Sequence, residues 1–102
     1  MPKTALFIVH YALPGKRDDV KRVWEKYIKP RSIENPDHEL YYYCYDNDDP
    51  DVIRVFQVYP DKSSQEKFLQ GAWYPEYLNE IKPLVSRPPE INYATPEWVK
   101  PT

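Results

Sequence analysis

Runs of apolar residues with two different periods divide the first half of the chain into predicted elements. Residues 5–13 (ALFIVHYAL), 38–46 (HELYYYCYD) and 52–61 (VIRVFQVYPD) are predicted strands, because β-branched and aromatic residues fill them and turn residues bound them. Between the first two strands, apolar residues recur at helical spacing within residues 16–31. This spacing predicts a helix that Pro30 ends, followed by a polar connection.

The second half of the chain repeats the same kinds of element. Ser63 and Glu66 are spaced as a capping box at the start of a second helix, which Pro75 breaks before a further helical segment. A short strand over 91–94 precedes a proline-punctuated tail. The order βαββαβ predicts a ferredoxin-like α+β fold with a four-stranded antiparallel sheet and two helices on one face. We expect a single domain over 1–102, with its core at about 5–94 and a tail over 95–102.

The predicted strands are apolar on both faces. In the first strand Leu6, Ile8 and His10 alternate with Phe7 and Val9, and both sets are largely apolar. A sheet with one wet face would instead alternate apolar with polar residues. We therefore expect a second copy of the chain to cover the face without helices, giving a homodimer. The strand HELYYYCYD is expected to be central and buried on both faces.

Composition argues against two classes of partner. The 102 residues carry a net charge of −2, with a pI of about 5.6, so no basic field would attract nucleic acid or an anionic membrane. The third strand lacks the glycine of an RNA-recognition motif, and the first apolar run is too short to span a membrane. A single cysteine excludes an internal disulfide and indicates a reducing, cytoplasmic setting.

Three segments of the sequence resemble a known family. They are the first strand ending at Pro14-Gly15, the hairpin closing on VFQVYPD, and the broken-helix segment DKSSQEKFLQGAWYPEYLNEIKPLV. Over about residues 5–94 the chain resembles the antibiotic biosynthesis monooxygenase domain. The resemblance implies a dimeric α/β barrel and, as in the cofactor-independent quinol monooxygenases, reaction of O2 with a small aromatic, quinol or enolic substrate, without cofactor or metal. The departures are Gln57 in place of a common glutamate, Tyr59 in place of a common tryptophan, and Phe68 and Trp73 in place of common histidines.

One ionisable residue stands out as the candidate base. His10 lies inside an otherwise apolar strand, where a polar group needs a partner or a function, and it is the predicted catalytic residue. A hydrogen-bonded structural histidine is the alternative. The predicted substrate pocket is mostly aromatic and consists of Ile8, Tyr42, Phe68, Trp73 and Tyr74. Tyr42 is assigned to the helix-covered side of the sheet.

Two other functions remain open from the sequence. The same barrel could bind a small hydrophobic ligand without turnover, or act as an isomerase that needs a base but no O2. Haem degradation is not expected, because Ile8, Phe68 and Leu78 occupy the places of the residues that haem-degrading relatives use.

The remaining polar residues have structural interpretations. His38 is expected in an exposed turn, and Cys44 is expected to be a small buried residue without an activating base nearby. The acidic turn over 46–51 departs from a calcium-binding loop because Asp51 stands where that loop needs glycine. It is predicted to be a solvated hairpin tip, and no metal site is expected.

Overall fold

The computed structural model describes residues 2–101 as one antiparallel sheet with helices on one face. The elements in chain order are β1 (Thr4–Ala12), α1 (Arg17–Tyr27), α2 (Lys29–Glu34), β2 (Leu40–Tyr45), β3 (Val52–Tyr59), α3 (Lys62–Phe68), α4 (Trp73–Ile81), a 3-10 turn (Lys82–Leu84) and β4 (Val85–Ala94). The strand order β2-β3-β1-β4 is that of a ferredoxin-like fold. The predicted fold class is confirmed.

The core lies between the helices and one face of the sheet. Ile53 of β3 and Val20 of α1 are almost completely buried, and Tyr77 and Ile81 of α4 pack with them. These helical residues recur three to four positions apart, so each helix turns one apolar stripe to the sheet. No helix within residues 2–101 is long and apolar enough to cross a membrane.

The ends of the helices differ from the prediction in two places. Pro30 ends the pattern of α1, as expected, but it also stands in the first turn of the short α2, where its missing N–H is not needed. Part of the predicted polar connection is therefore helical. At α3 the N-cap is Asp61 rather than Ser63, because the Asp61 carboxylate accepts a hydrogen bond from the Ser64 backbone N–H at 2.8 Å.

The last strand is longer than predicted. β4 runs over ten residues, against the four expected, and includes Pro88 and Pro89. Proline cannot donate to a neighbouring strand, which argued against a strand there. β4 is an edge strand that pairs only with β1 in the sheet, and an edge tolerates residues without an N–H.

The tyrosine-rich strand lies at the other edge of the sheet, so the prediction of a central strand is wrong. Tyr41, Tyr43 and Tyr45 face the helices, and their neighbours face away. Tyr42 is 59% exposed on the open face, which corrects its assignment to the helix side. Cys44 shares that open face and is exposed rather than buried. The sequence could not choose between the faces because both are aromatic.

The open face carries a row of aromatic residues across three strands. Phe7 of β1 pairs in register with Phe56 of β3, which pairs in turn with Tyr42 of β2. The Phe7 and Phe56 rings lie 4.8 Å apart between centroids, and Phe7 is 48% exposed. Within residues 2–101 no helix covers this row.

Candidate functional site

A cavity of about 120 Å³ lies between the helix-covered face of the sheet and the helices. Leu6, Ile8 and His10 of β1 form its floor, and Phe68 and Tyr74 contribute to its helical wall. Alternate residues of one strand point to one face, which is why these three β1 residues line it together. No lysine, arginine, aspartate or glutamate of the described chain lines the cavity. It is an apolar site with a few polar groups, as small-molecule sites generally are.

A larger depression of about 680 Å³ lies elsewhere, on the surface. Thr4, Lys62, Glu66 and Tyr93 line it, and it is broadly open to solvent. Electrostatic and hydrogen-bonding effects are weakened in such an open site, because water screens charges and competes for donors and acceptors. We therefore take the enclosed cavity, rather than this depression, as the candidate functional site.

His10 lines the cavity and is the candidate base. Every side-chain hydrogen bond of a histidine within residues 2–101 belongs to His38, so the His10 ring is unpaired there. Burial lowers the pKa of His10 to about 4, since an apolar surrounding disfavours the charged ring. At neutral pH His10 is uncharged and has one nitrogen free to accept a proton. The alternative, a structural histidine held by hydrogen bonds, is not supported, because the His10 ring has no hydrogen-bond partner within residues 2–101.

The predicted pocket residues fall into three positions. Ile8, Phe68 and Tyr74 line the cavity together with His10. Trp73 lies behind the cavity wall, where its ring packs edge-on against Phe68 and Tyr74 and lies under the Arg31 guanidinium. Tyr42 lies on the opposite face of the sheet and cannot reach the cavity. The prediction that Trp73 and Tyr42 line the pocket is therefore wrong.

Gln57 and Tyr59, which the sequence did not predict as site residues, form the other end of the cavity, and His38 lies next to them. His38 is partly buried rather than exposed in a turn, and its ring packs against Tyr59 and Phe68. Its Nε2 lies 3.0 Å from the Gln57 side-chain oxygen and also contacts the Tyr59 hydroxyl. Gln57 and Tyr59 line the cavity, and both are buried. The one available signal was the polar Gln57 within an apolar strand.

The register of the sheet separates the two polar groups. Leu6 of β1 lies opposite Gln57 of β3, whereas His10 lies opposite Ile53, four residues further along. At about 3.3 Å per residue, this offset is about 13 Å. The cavity therefore has His10 at one end and Gln57 with Tyr59 at the other, with Ile8 and Val55 between them.

Tyrosines around the cavity add hydroxyl groups but no charge. Tyr41 lines it and accepts a hydrogen bond from the Trp24 indole N–H at 2.9 Å. Burial raises the pKa of Tyr41 to about 12, and it raises the pKa values of Tyr59 and Tyr77 well above the usual range. At neutral pH these phenols stay protonated, so the cavity wall is uncharged throughout.

The described residues offer no evident metal site. No group of three or more histidine, cysteine, aspartate or glutamate side chains within residues 2–101 is placed to hold a metal ion. The acidic turn after β2 is organised by its own hydrogen bonds, since Asp46 accepts from the backbone N–H groups of Asp48 and Asp49 and pairs with Arg54 at 2.6 Å. These bonds and the arginine hold the pKa of Asp46 at about 2.

Comparison with known proteins relates the chain to solved structures only. No family model matches the sequence, and no curated protein does. A protein of unknown function from Nitrosomonas europaea is similar at a TM-score of 0.81 and 20% identity, over 100% of this chain and 96% of that one. A "putative antibiotic biosynthesis monooxygenase" from Chloroflexus aurantiacus is similar at 0.79 and 20% identity, over 97% of each chain. A protein of the same name from Caulobacter crescentus reaches 0.84 at 13% identity, over 97% of this chain and 92% of that one.

These similarities bear on the architecture of the chain. The aligned structures cover almost the whole chain, and two of the three carry the name of the family that the sequence resembles. At 20% identity or less, the likeness shows a shared fold. The expected resemblance to the antibiotic biosynthesis monooxygenase domain is confirmed at that level.

Proposed function

We propose that this chain is a cofactor-independent monooxygenase that oxidises a small quinol, phenol or enol with O2. The single observation that carries the proposal is His10, an uncharged and unpaired histidine in a partly enclosed, uncharged aromatic cavity. At neutral pH such a residue is in its base form, and it can accept a proton from a bound hydroxyl group once the anion that forms beside it raises its pKa. The fold is shared with structures that carry the name "putative antibiotic biosynthesis monooxygenase", and that name is in keeping with an oxygenase reaction.

In the proposed reaction the deprotonated, electron-rich substrate reacts with O2 directly, so no prosthetic group takes part. His10 would take the proton of the substrate hydroxyl, and the resulting anion would raise the pKa of His10 because opposite charges at short range favour each other. The electron-rich ring then reduces O2 and forms a carbon–oxygen bond. With hydroquinone the products would be hydroxybenzoquinone and water, each holding one atom of the O2. The ring supplies all four electrons, so no external reductant enters.

We also propose that the open face of the sheet pairs with a second copy of the chain. The row of Phe7, Phe56 and Tyr42 is apolar and in register, and it lies on the face that no helix covers within residues 2–101. Two such rows related by a twofold axis would bury each other. The cavity lies on the other face, so each copy would keep its own site.

Oxygen uptake tests the proposed reaction. Metal-stripped protein is mixed with a panel of hydroquinones and monocyclic phenols, and uptake is corrected for autoxidation. We expect uptake that saturates with substrate, and a fall in kcat of about 100-fold or more in His10→Gln, since a general base typically contributes that much. The matched control is Tyr42→Phe, a conservative change on the open face, which should retain the wild-type kcat.

Two results would count against the proposal. Saturable uptake that is unchanged in a folded His10→Gln variant would remove His10 from the mechanism. No uptake above autoxidation would reject the oxygenase activity itself. Anaerobic incubation of the same panel, followed by product analysis, then shows whether His10 serves an isomerisation that needs no O2.

A further inference from the structure

The hydrogen bonds around His38 fix its proton. The backbone N–H of Asp37 donates to the Asn35 side-chain oxygen at 3.2 Å, and a backbone N–H can only donate. The other atom of that amide, the Asn35 Nδ2, therefore donates to His38 Nδ1 at 3.0 Å. His38 Nδ1 is an acceptor, so the proton of the neutral ring lies on Nε2. Burial lowers the pKa of His38, which agrees with a neutral ring.

The same logic carries through to Gln57. The His38 Nε2–H has two acceptors in reach, the Gln57 oxygen at 3.0 Å and the Tyr59 hydroxyl. The Tyr59 hydroxyl in turn donates to the Gln57 oxygen at 2.8 Å. By either route the amide oxygen accepts from this pair, so the amide nitrogen faces the other way. This nitrogen, with two N–H groups, makes no hydrogen bond to a side chain within residues 2–101.

The Gln57 amide nitrogen opens into the cavity. Gln57 is only 6% exposed as a residue and lines the cavity, but its nitrogen is not among the buried polar atoms that lack a partner within residues 2–101. A ligand oxygen that accepts from this nitrogen takes the place of water and gains one net hydrogen bond. The requirement is directional, because the amide presents N–H groups and cannot present its oxygen while His38 and Tyr59 hold it.

Two buried glutamines line the cavity, Gln57 and Gln65, and of the two Gln57 has side-chain partners that orient its amide. We propose that Gln57, oriented by His38 and Tyr59, selects the ligand by donating a hydrogen bond to an acceptor oxygen on a neutral, single-ring molecule. The proposal rests on the cavity being the substrate site of the proposed function. Gln57 would be a binding residue, and His38 a positioning residue that acts through it.

The cavity sets the other properties of this ligand. Its volume of about 120 Å³ is comparable to the roughly 150 Å³ of an engineered cavity that holds benzene, so it accommodates one ring. No charged side chain of the described residues lines it, so an ionised ligand would lose its hydration without gaining an ion pair. The matching class is a neutral ring with a hydroxyl or carbonyl oxygen, which includes monocyclic quinols.

A pair of nearly isosteric probes isolates the acceptor oxygen. Acetophenone and α-methylstyrene differ only in C=O against C=CH2, and neither is a substrate for oxygenation by the proposed route. Titration calorimetry of the full chain measures the dissociation constant of each. We expect the wild-type protein to bind the ketone about fivefold more tightly, which is the effect of one net hydrogen bond.

Variants assign that preference to Gln57. Gln57→Met keeps the length of the side chain, leaves His38 and Tyr59 in contact, and should abolish the preference. His38→Phe should reduce it, because the amide is then free to turn. Gln70→Met, at an exposed position outside the cavity, should leave it unchanged. A folded Gln57→Met variant with the wild-type ratio of the two dissociation constants would overturn the proposal.

A second measurement needs no cavity variant. The chain has three glutamines, Gln57, Gln65 and Gln70, so nitrogen-15 labelling of glutamine gives three side-chain NH2 signals. We expect acetophenone, but not α-methylstyrene, to shift the Gln57 signal downfield. Equal shifts with both probes would contradict the proposal. Both assays are binding assays, so absence of oxygen uptake would reject the monooxygenase activity and leave this result independent.

Discussion

On one face of the sheet Ile53 is fully buried beneath the helices, whereas on the other Phe7 exposes 48% of its surface and Tyr42 exposes 59%. The residues are similar in kind, since tyrosine occurs on both faces of β2 and valine occurs on both faces of β3. The faces differ in what covers them. Apolar patterning therefore shows that a surface needs to be covered, while the connections of the chain decide which surface its own helices cover.

On the covered face, burial changes the properties of the polar groups. Burial keeps His10 uncharged and leaves the Tyr43 hydroxyl without a hydrogen-bond partner in the described residues, whereas Tyr42 on the open face of a single chain is exposed to water. Replacing a polar group should therefore change the free energy of unfolding strongly on the covered face and weakly on the open face.

The largest expected effect concerns His10 and pH. The pKa of His10 is about 4 in the folded chain, against 6.5 without burial. Above pH 6.5 the ring is neutral in both states; between 6.5 and 4 the unfolded state binds a proton that the folded state does not. The free energy of unfolding should therefore fall by about 3 kcal/mol as pH drops through this window. Urea unfolding at a series of pH values measures the fall.

The variant His10→Gln isolates this contribution. Glutamine does not titrate, so the variant should lose about 3 kcal/mol less between pH 6.5 and 4 than the wild-type chain. His38 also has a lowered pKa and acts in the same direction, so some acid sensitivity remains. The same pH dependence in both proteins would show that the His10 ring is accessible to water.

Much of the fold could be predicted because it depends on local pattern. The strands and helices follow from the spacing of apolar residues, and the topology follows from their order. The position of β2 was wrong because both of its faces are aromatic, and Tyr42 was assigned to the wrong face for the same reason. The length of β4 was missed because Pro88 and Pro89 are tolerated at an edge, which only the finished sheet reveals.

Of the two polar ends of the candidate cavity, only the His10 end could be predicted from the sequence. His10 was identifiable from its own strand, since it interrupts an apolar run. His38 was not, because its partners come from two other places: Asn35 in the loop before β2, and Gln57 and Tyr59 on β3. Hydrogen bonds between distant segments leave no periodic trace in a sequence. A polar residue with such partners looks the same as one in an exposed turn.

The next largest effect concerns the open face. Replacing Phe7 with glutamate places a charge in the aromatic row, next to Phe56 at its centre. If two copies pair through this face, the dissociation constant should rise about 100-fold, or about 2.7 kcal/mol, because a buried unpaired charge opposes association. Sedimentation velocity over a range of concentrations measures it.

A matched control separates this effect from added charge alone. Ile33 is 75% exposed on α2, away from the sheet, so Ile33→Glu makes the same chemical change outside the proposed interface. It should leave the dissociation constant unchanged. A wild-type chain that sediments as a monomer at every concentration would end the proposal of a dimer.

The smallest effect should be a gain in stability. The Tyr43 hydroxyl is buried against the helices without a hydrogen-bond partner within residues 2–101, and its ring stacks on Trp24 at 4.1 Å between centroids. Tyr43→Phe keeps the stacking and removes the unsatisfied group. The free energy of unfolding should rise by about 1 kcal/mol or more. At chain concentrations below the dissociation constant of the proposed dimer, Tyr42→Phe on the open face should change it by less than about 0.5 kcal/mol, since water then satisfies that hydroxyl. Urea unfolding of both variants at pH 7 measures these changes in the free energy of unfolding. Destabilisation by Tyr43→Phe would mean that water or a partner chain reaches the Tyr43 hydroxyl on the covered face.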